Sequence, residues 1–140
     1  MRKALIGFLG LMSACQGPST ISLRADRPTD GRDVDIEFRI YRLRDDARFL
    51  KVSVDDLWTR DKEILGADQI GEPTAAILFA NDSGQVLRTI QLGVLPPEVR
   101  FVGVFALLAK ERDGPRKIVL SRSELGSVIR VTGYHLEVEK

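Results

Sequence analysis

The stretch of sequence that decides the fold is residues 34–43, which read Val34-Asp35-Ile36-Glu37-Phe38-Arg39-Ile40-Tyr41-Arg42-Leu43. From position 34 to position 40 every second side chain is apolar, and the side chains between them are charged. A period of two is typical of a strand with one buried face, and a slip of one residue would bury the charges. Residues 34–43 are therefore predicted to form a strand that packs one face on a core.

Outward from this strand, similar apolar patterns recur along the chain. Residues 19–25 alternate in the same way, and further strands are predicted at residues 74–80, 86–92, 101–110, 116–121 and 128–139. Turn signals occupy residues 81–84 and 112–115. Residues 101–109 are almost wholly apolar, which is typical of a central strand covered on both faces, here by the other sheet and by a helix.

Helical character is found once, at residues 53–66. Ser53 can cap the first turn with Asp56 three residues later, and Gly66 suits the C-terminal stop. The apolar side chains fall near one face, which favours a core position for Trp58 over a ligand platform. About seven strands with one or two short helices predict a mainly β protein, a two-sheet β-sandwich.

The first fourteen residues have the pattern of a secretory leader. Arg2 and Lys3 precede a short apolar run, residues 4–12, and two small residues follow it, Ser13 and Ala14. The run is shorter than the roughly 20 apolar residues that a membrane-spanning helix needs. The next residue, Cys15, is the only cysteine in the chain, so it cannot form an internal disulfide. An ordinary secretory leader followed by an incidental cysteine is the alternative interpretation.

The sequence around the cysteine, Leu11-Met12-Ser13-Ala14-Cys15, resembles the bacterial lipobox. The resemblance implies that Cys15 receives a diacylglycerol and an N-acyl chain and becomes the mature N-terminus. It also implies sorting to the outer membrane, since Gln16 stands where aspartate favours inner-membrane retention. We therefore expect a leader at residues 1–14, a lipidated cysteine and short tether at residues 15–19, and one domain at residues 20–140 that faces the periplasm.

Composition excludes several classes of function. Removing Arg2 and Lys3 from the 21 basic side chains leaves 19 against 20 acidic ones, so no basic field for nucleic acid is present. The single histidine, His135, lies in the last predicted strand, and no phosphate-binding glycine motif occurs. We expect no catalytic site, no metal, no cofactor other than the lipid and no small-molecule substrate. A hydrolase with two carboxylates stays formally open, because convergence in space cannot be read from sequence.

Several segments, taken in order after the lipobox, are similar to the TssJ family, the outer-membrane lipoprotein of the type VI secretion system. They are residues 27–32, residues 34–43, Phe49, residues 54–58 and residues 101–106. The resemblance implies a transthyretin-like β-sandwich with helical decoration. It also implies that the loop between the first two strands, residues 26–33, contacts the periplasmic C-terminal domain of TssM, an inner-membrane component.

The expected partner-binding residues lie in that loop: Arg27, Pro28, Thr29, Asp30, Gly31 and Arg32. The arginines can pair with carboxylates of a partner and Asp30 with a base, while Pro28 and Gly31 restrict the loop. A loop that is merely solvated is the alternative. A second alternative function is binding of a small ligand, a glycan or another envelope protein, but the chain has only six Phe, two Tyr and one Trp, few for a stacking platform.

Overall fold

The computed structural model describes residues 17–25, 36–78, 86–107, 116–132 and 135–139. The strands in this part are β1 Ser19–Ala25, β2 Ile36–Leu43, β3 Thr74–Leu78, β4 Val86–Gly93, β5 Phe101–Leu107, β6 Lys117–Ser121, β7 Val128–Thr132 and β8 His135–Glu139. Two α-helices lie between β2 and β3, α1 Ala47–Lys51 and α2 Val54–Leu65. Single 3-10 turns occupy Gly66–Asp68 and Arg122–Glu124.

The strands form two four-stranded sheets. The first sheet has the order β4-β1-β7-β8 and the second has the order β3-β2-β5-β6. Neighbouring strands are antiparallel except β1 and β7, which are parallel. The main core lies between the sheets, where Ile21 and Leu23 of β1 and Phe38 and Ile40 of β2 are fully buried. The expected two-sheet β-sandwich is confirmed.

A second apolar cluster lies on the outer face of the second sheet, beneath α1 and α2. Its buried members are Tyr41, Leu43, Phe49, Val54, Leu57, Leu65 and Phe105. Tyr41 lies 5.8 Å from both the Phe49 and the Phe105 ring centroids. The helices thus cover the face of β2 and β5 that faces away from the main core, and β5 is buried on both sides as its apolar sequence predicted.

Several sequence predictions are confirmed and others need correction. Helix α2 begins after Ser53, whose side chain accepts a hydrogen bond from the Asp56 N–H at 3.1 Å, and ends at Gly66, which has a φ of 51°. Of the one or two short helices that the sequence predicted, only α2 was located from its pattern, and α1 was missed. Its five residues are too few to show a helical period, and it buries only Phe49.

The prediction of one final strand over residues 128–139 was also wrong. That stretch forms β7 and β8, which pair antiparallel with Thr132 opposite His135. The two strands flank Gly133, a residue type common in tight turns, and this is the signal that could have divided the stretch. The predicted turns at residues 81–84 and 112–115 lie outside the described residues.

Alkaline pH is expected to destabilise the domain partly through Tyr41. Its hydroxyl donates a hydrogen bond of 2.9 Å to Asp61 Oδ2, and burial, followed by the Asp61 carboxylate, raises the pKa of Tyr41 well above its ordinary 10.0. The unfolded chain therefore releases this proton first. The contribution is complete below about pH 10 and is lost as pH rises above that value.

The variant Tyr41→Phe removes this titration and keeps the ring. We expect it to cost about 1 kcal/mol at neutral pH through the lost hydrogen bond. Its free energy of unfolding should then fall less steeply than that of the native chain between about pH 9 and pH 11. Urea denaturation across that range measures both slopes, and parallel slopes would show that Tyr41 does not contribute.

Candidate functional site

The sandwich has two ends, and the strand register identifies what lies at each. Ser19 at the start of β1 pairs with Gly93 at the end of β4, and we call this the Ser19 end. Ala25 at the other end of β1 pairs with Val86 and with Val131, and we call this the Ala25 end. The seven residues of β1 separate the two ends by about 20 Å.

The second sheet has the same two ends. Ile36 at the start of β2 pairs with Leu78, and Leu43 at its end pairs with Phe101. The Arg100 N–H donates to the Leu43 carbonyl at 3.0 Å, and the short link from β4 to β5 brings Leu43 to the Ser19 end. Residues 26–35 therefore connect strand ends of opposite sheets at the Ala25 end. Residues 79–85 and 108–115 also join strand ends there.

Both strands that flank residues 26–35 are interior strands. β1 is held between β4 and β7, and β2 between β3 and β5. Arg24, one residue before the end of β1, reaches across β7 and donates to both carboxylate oxygens of Glu139 at 3.0 and 3.2 Å. A loop that leaves two interior strands has rigid ends, and rigid ends lower the entropy that binding must overcome.

On the β2 side of residues 26–35, Arg39 of the strand packs against Trp58 of α2. The Arg39 guanidinium lies 3.7 Å from the Trp58 ring centroid and donates to the Trp58 carbonyl at 2.9 Å. The indole ring also packs edge-on against Phe105, with 6.3 Å between ring centroids. The expectation that Trp58 serves packing is confirmed, because Arg39 occupies one face of its half-buried ring.

Sequence reasoning missed the role of Lys117, the first residue of β6. Its ammonium group donates to the carbonyls of Phe49 at 2.8 Å and Leu50 at 3.0 Å, and also to the carbonyl of Val52. Burial lowers the pKa of Lys117. The lysine joins the C-terminal end of α1 to the second sheet near the Ala25 end. No local signal could have found it, because α1 itself was not predicted.

The sequence-predicted site residues lie outside the described residues. These are Cys15 and the loop residues Arg27, Pro28, Thr29, Asp30, Gly31 and Arg32. The structure brings together the strand ends that flank the loop, and the roles of the loop residues stay predictions. His135 begins β8, in agreement with its assignment to a strand, and its side chain is also outside the described part.

Across residues 17–25, 36–78, 86–107, 116–132 and 135–139, no group of three or more metal-ligating side chains comes together. The same residues contain no fully buried charged side chain. No helix in this described part is long and apolar enough to cross a membrane.

This geometry defines a class of protein: a small two-sheet β domain whose candidate working surface is a charged loop between interior strands. The family model for the type VI secretion lipoproteins, described as VasD, EvfM and TssJ, matches residues 25–139. The chain belongs to this TssJ family of type VI secretion lipoproteins. No curated protein matches the chain in sequence.

Solved structures agree with the family assignment. A chain of a type VI membrane complex superposes with a TM-score of 0.71 at 25% sequence identity, covering 89% of this chain and 98% of that chain. The Serratia marcescens Lip, a membrane-bound component of the type VI secretion system, gives 0.72 at 19% identity, covering 89% and 97%. The lipoprotein TssJ1 from Pseudomonas aeruginosa gives 0.68 at 17% identity, covering 87% and 95%.

Family membership identifies the general role. The protein is a lipoprotein of the type VI secretion membrane complex, and the family is a structural component of that system rather than an enzyme.

Proposed function

We propose that the protein is anchored to the outer membrane through acylated Cys15 and docks the periplasmic C-terminal domain of an inner-membrane TssM-like protein. The docking surface is the loop of residues 26–33, with Arg27, Asp30 and Arg32 as the charged contacts. By joining the two membranes through this contact, the protein helps to build an envelope-spanning complex.

The observation that carries the proposal is the position of the loop relative to the anchor. Cys15 lies four residues before Ser19, and the loop leaves β1 at Ala25, at the opposite end of the sandwich. β1 spans about 20 Å between these ends. A domain held to the bilayer by its Ser19 end would present the loop toward the periplasm, where an inner-membrane partner arrives.

The chemistry of the loop supports docking by charge. Residues 26–33 contain five charged side chains and no apolar side chain other than Pro28. Charged groups on a loop with rigid ends favour association rate and specificity. Pro28 restricts the backbone before binding, so less conformational entropy is lost in the complex.

A solved structure also supports a partner of the TssM type. A structure of the T6SS protein TssM C-terminal domain (869-1107) from EAEC includes a chain that superposes on this one with a TM-score of 0.66 at 22% identity. The superposition covers 89% of this chain and 98% of that one, so the matched chain has the size of the present domain. The named TssM segment is longer than this 140-residue chain. The name of that structure therefore associates a chain of this fold with the TssM C-terminal domain.

The test is charge reversal within the loop. The double variant Arg27→Glu, Arg32→Glu is expected to weaken binding of the purified periplasmic TssM-like domain by about tenfold or more, equal to about 1.4 kcal/mol. Its melting temperature should stay that of the native domain, because neither substitution removes an apolar side chain. Isothermal titration calorimetry and thermal unfolding measure the two quantities.

The matched control carries the same charge change at the other end. Arg44 and Arg100 are exposed at the Ser19 end, so the double variant Arg44→Glu, Arg100→Glu should bind the partner as the native chain does. Equal affinity of the native chain and the loop variant would remove the loop from the mechanism. Equal losses in the two double variants would show a general charge effect instead of loop docking.

A further inference from the structure

The link between β4 and β5 forms an apolar ledge at the Ser19 end, made by the exposed side chains Val94, Pro96 and Pro97. Val94 is 67% exposed, and of the large apolar side chains in the described part only Leu50 and Ile77 are also exposed, at 52% and 36%. Removing exposed apolar surface from water is favourable. A second surface that covered Val94 would therefore stabilise the bound state of the domain.

The ledge is rigid, so its exposed side chains cannot simply turn inward. Leu95 and Val99, within the same link, are buried at 3% and 0% exposure and attach it to the main core. The guanidinium group of Arg122 donates to the carbonyls of Pro96 at 2.9 Å, Val99 at 2.8 Å and Leu95 at 3.4 Å. Three carbonyls held by one arginine fix the outward direction of the ledge.

The tether brings the ledge close to the expected lipid anchor. Val94 directly follows Gly93, which pairs with Ser19 in the first sheet. Cys15 precedes Ser19 by four residues, and four residues span at most about 14 Å when fully extended. Acyl chains on Cys15 therefore hold the bilayer surface within reach of the ledge.

We propose that the ledge rests in the headgroup layer of the leaflet that carries the acyl chains of Cys15, so that Val94, Pro96 and Pro97 contact phospholipid. This inference depends on the anchoring part of the proposed function. With the ledge in contact, the domain has one orientation, and its Ala25 end is directed away from the membrane. A tether alone would leave the domain free to rotate.

The contact is apolar rather than electrostatic. The link between β4 and β5 carries one acidic and one basic side chain, Glu98 and Arg100, both after the prolines, so the link itself has no net charge that would select anionic lipid. Salt screens contacts between exposed charges and leaves apolar contacts in place. The contact is therefore expected to persist at high ionic strength and in vesicles of purely zwitterionic lipid.

The test compares two labelled positions on the full, lipidated protein in vesicles of phosphatidylethanolamine and phosphatidylglycerol. The thiol of Cys15 is consumed by its lipid, so Val94→Cys and Ile77→Cys each carry one reactive thiol for an environment-sensitive fluorophore. Ile77 is also an exposed apolar side chain, but it pairs with Glu37 near the Ala25 end. Lipids with a nitroxide near the headgroup should quench the label at position 94 several-fold more than the label at position 77.

Three outcomes would overturn the inference. Equal quenching at the two positions would mean that the ledge does not face the bilayer, and normal partner binding by the same sample would leave the proposed docking intact. Quenching at position 94 that disappears at high salt would replace the apolar contact by an electrostatic one. An unmodified Cys15 in the mass spectrum of the native protein would remove the anchor, and the inference with it.

Discussion

Replacing Gly103 by valine is expected to destabilise the domain by about 2–3 kcal/mol, because the new side chain overpacks a closed core. A Cβ atom at Gly103 would lie 2.8 Å from Cζ of Phe49 and 2.9 Å from Cδ1 of Leu43. Both neighbours are fully buried, so neither can move into solvent. Glycine weakens a strand interior by itself, and its presence in β5 reflects the close approach of Phe49 from α1.

A control substitution at a second glycine and a double variant test whether the loss comes from contact with Phe49. A Cβ atom at Gly17 would meet no heavy atom within 4 Å, so Gly17→Val should leave the free energy of unfolding unchanged. The variant Phe49→Ala alone is expected to cost about 3–5 kcal/mol, because it empties the space beneath α1. On that background Gly103→Val should cost less than in the native chain, since the Phe49 ring is gone and only Cδ1 of Leu43 still lies too close. Urea denaturation of the four combinations measures the coupling, and strictly additive losses would contradict the proposed contact.

Replacing Cys15 by alanine is expected to release the protein from the membrane. Each buried acyl methylene contributes about 0.8 kcal/mol, so a lipidated cysteine with several chains holds the protein far more tightly than one myristoyl group does. Without the thiol no lipid can be attached, and the described residues contain no membrane-spanning helix to replace it. In the variant, palmitate labelling of the protein and its recovery in the membrane fraction should both be almost completely lost.

Two neighbouring substitutions separate anchoring from sorting. Ser13→Ala keeps a small residue in the lipobox, so acylation and membrane association should be unchanged. Gln16→Asp should keep acylation but move the protein to the inner membrane. The resemblance to bacterial lipoproteins implies this, because aspartate next to the lipidated cysteine favours inner-membrane retention. Sucrose-gradient separation of the two membranes measures this shift. Acylated Cys15→Ala protein, or membrane association without acylation, would refute the anchoring proposal.

Sequence alone predicted the elements whose signals are local. The alternation around Phe38 and Ile40 predicted β2 and its buried face, because side chains in a strand alternate whatever the strand packs against. Ser53 and Gly66 likewise marked the limits of α2 through capping chemistry within a few residues. The resemblance to the TssJ family, read from residues 27–32, 34–43, 49, 54–58 and 101–106, was confirmed by the family match over residues 25–139.

The candidate site was predicted in a different way from the fold. The loop of residues 26–33 and Cys15 were selected by composition and by resemblance, and both lie outside the described residues. The structure added the fact that the loop is flanked by interior strands of two sheets, at the end of β1 opposite the tether. No periodicity contains that fact, because it depends on how two sheets are stacked.

The sequence by itself determined a run of alternating strands and one capped helix, and the leader that ends before Cys15 stays a prediction from the same sequence. Only the tertiary structure decided that α1 forms, that Gly103 must be small and that Lys117 holds the end of α1. Each of these depends on contacts between residues far apart in the chain, such as Phe49 with Gly103. Periodicity and capping depend on a residue's near neighbours along the chain. Packing depends on which distant segments meet, and here these contacts form where the two helices pack on the second sheet.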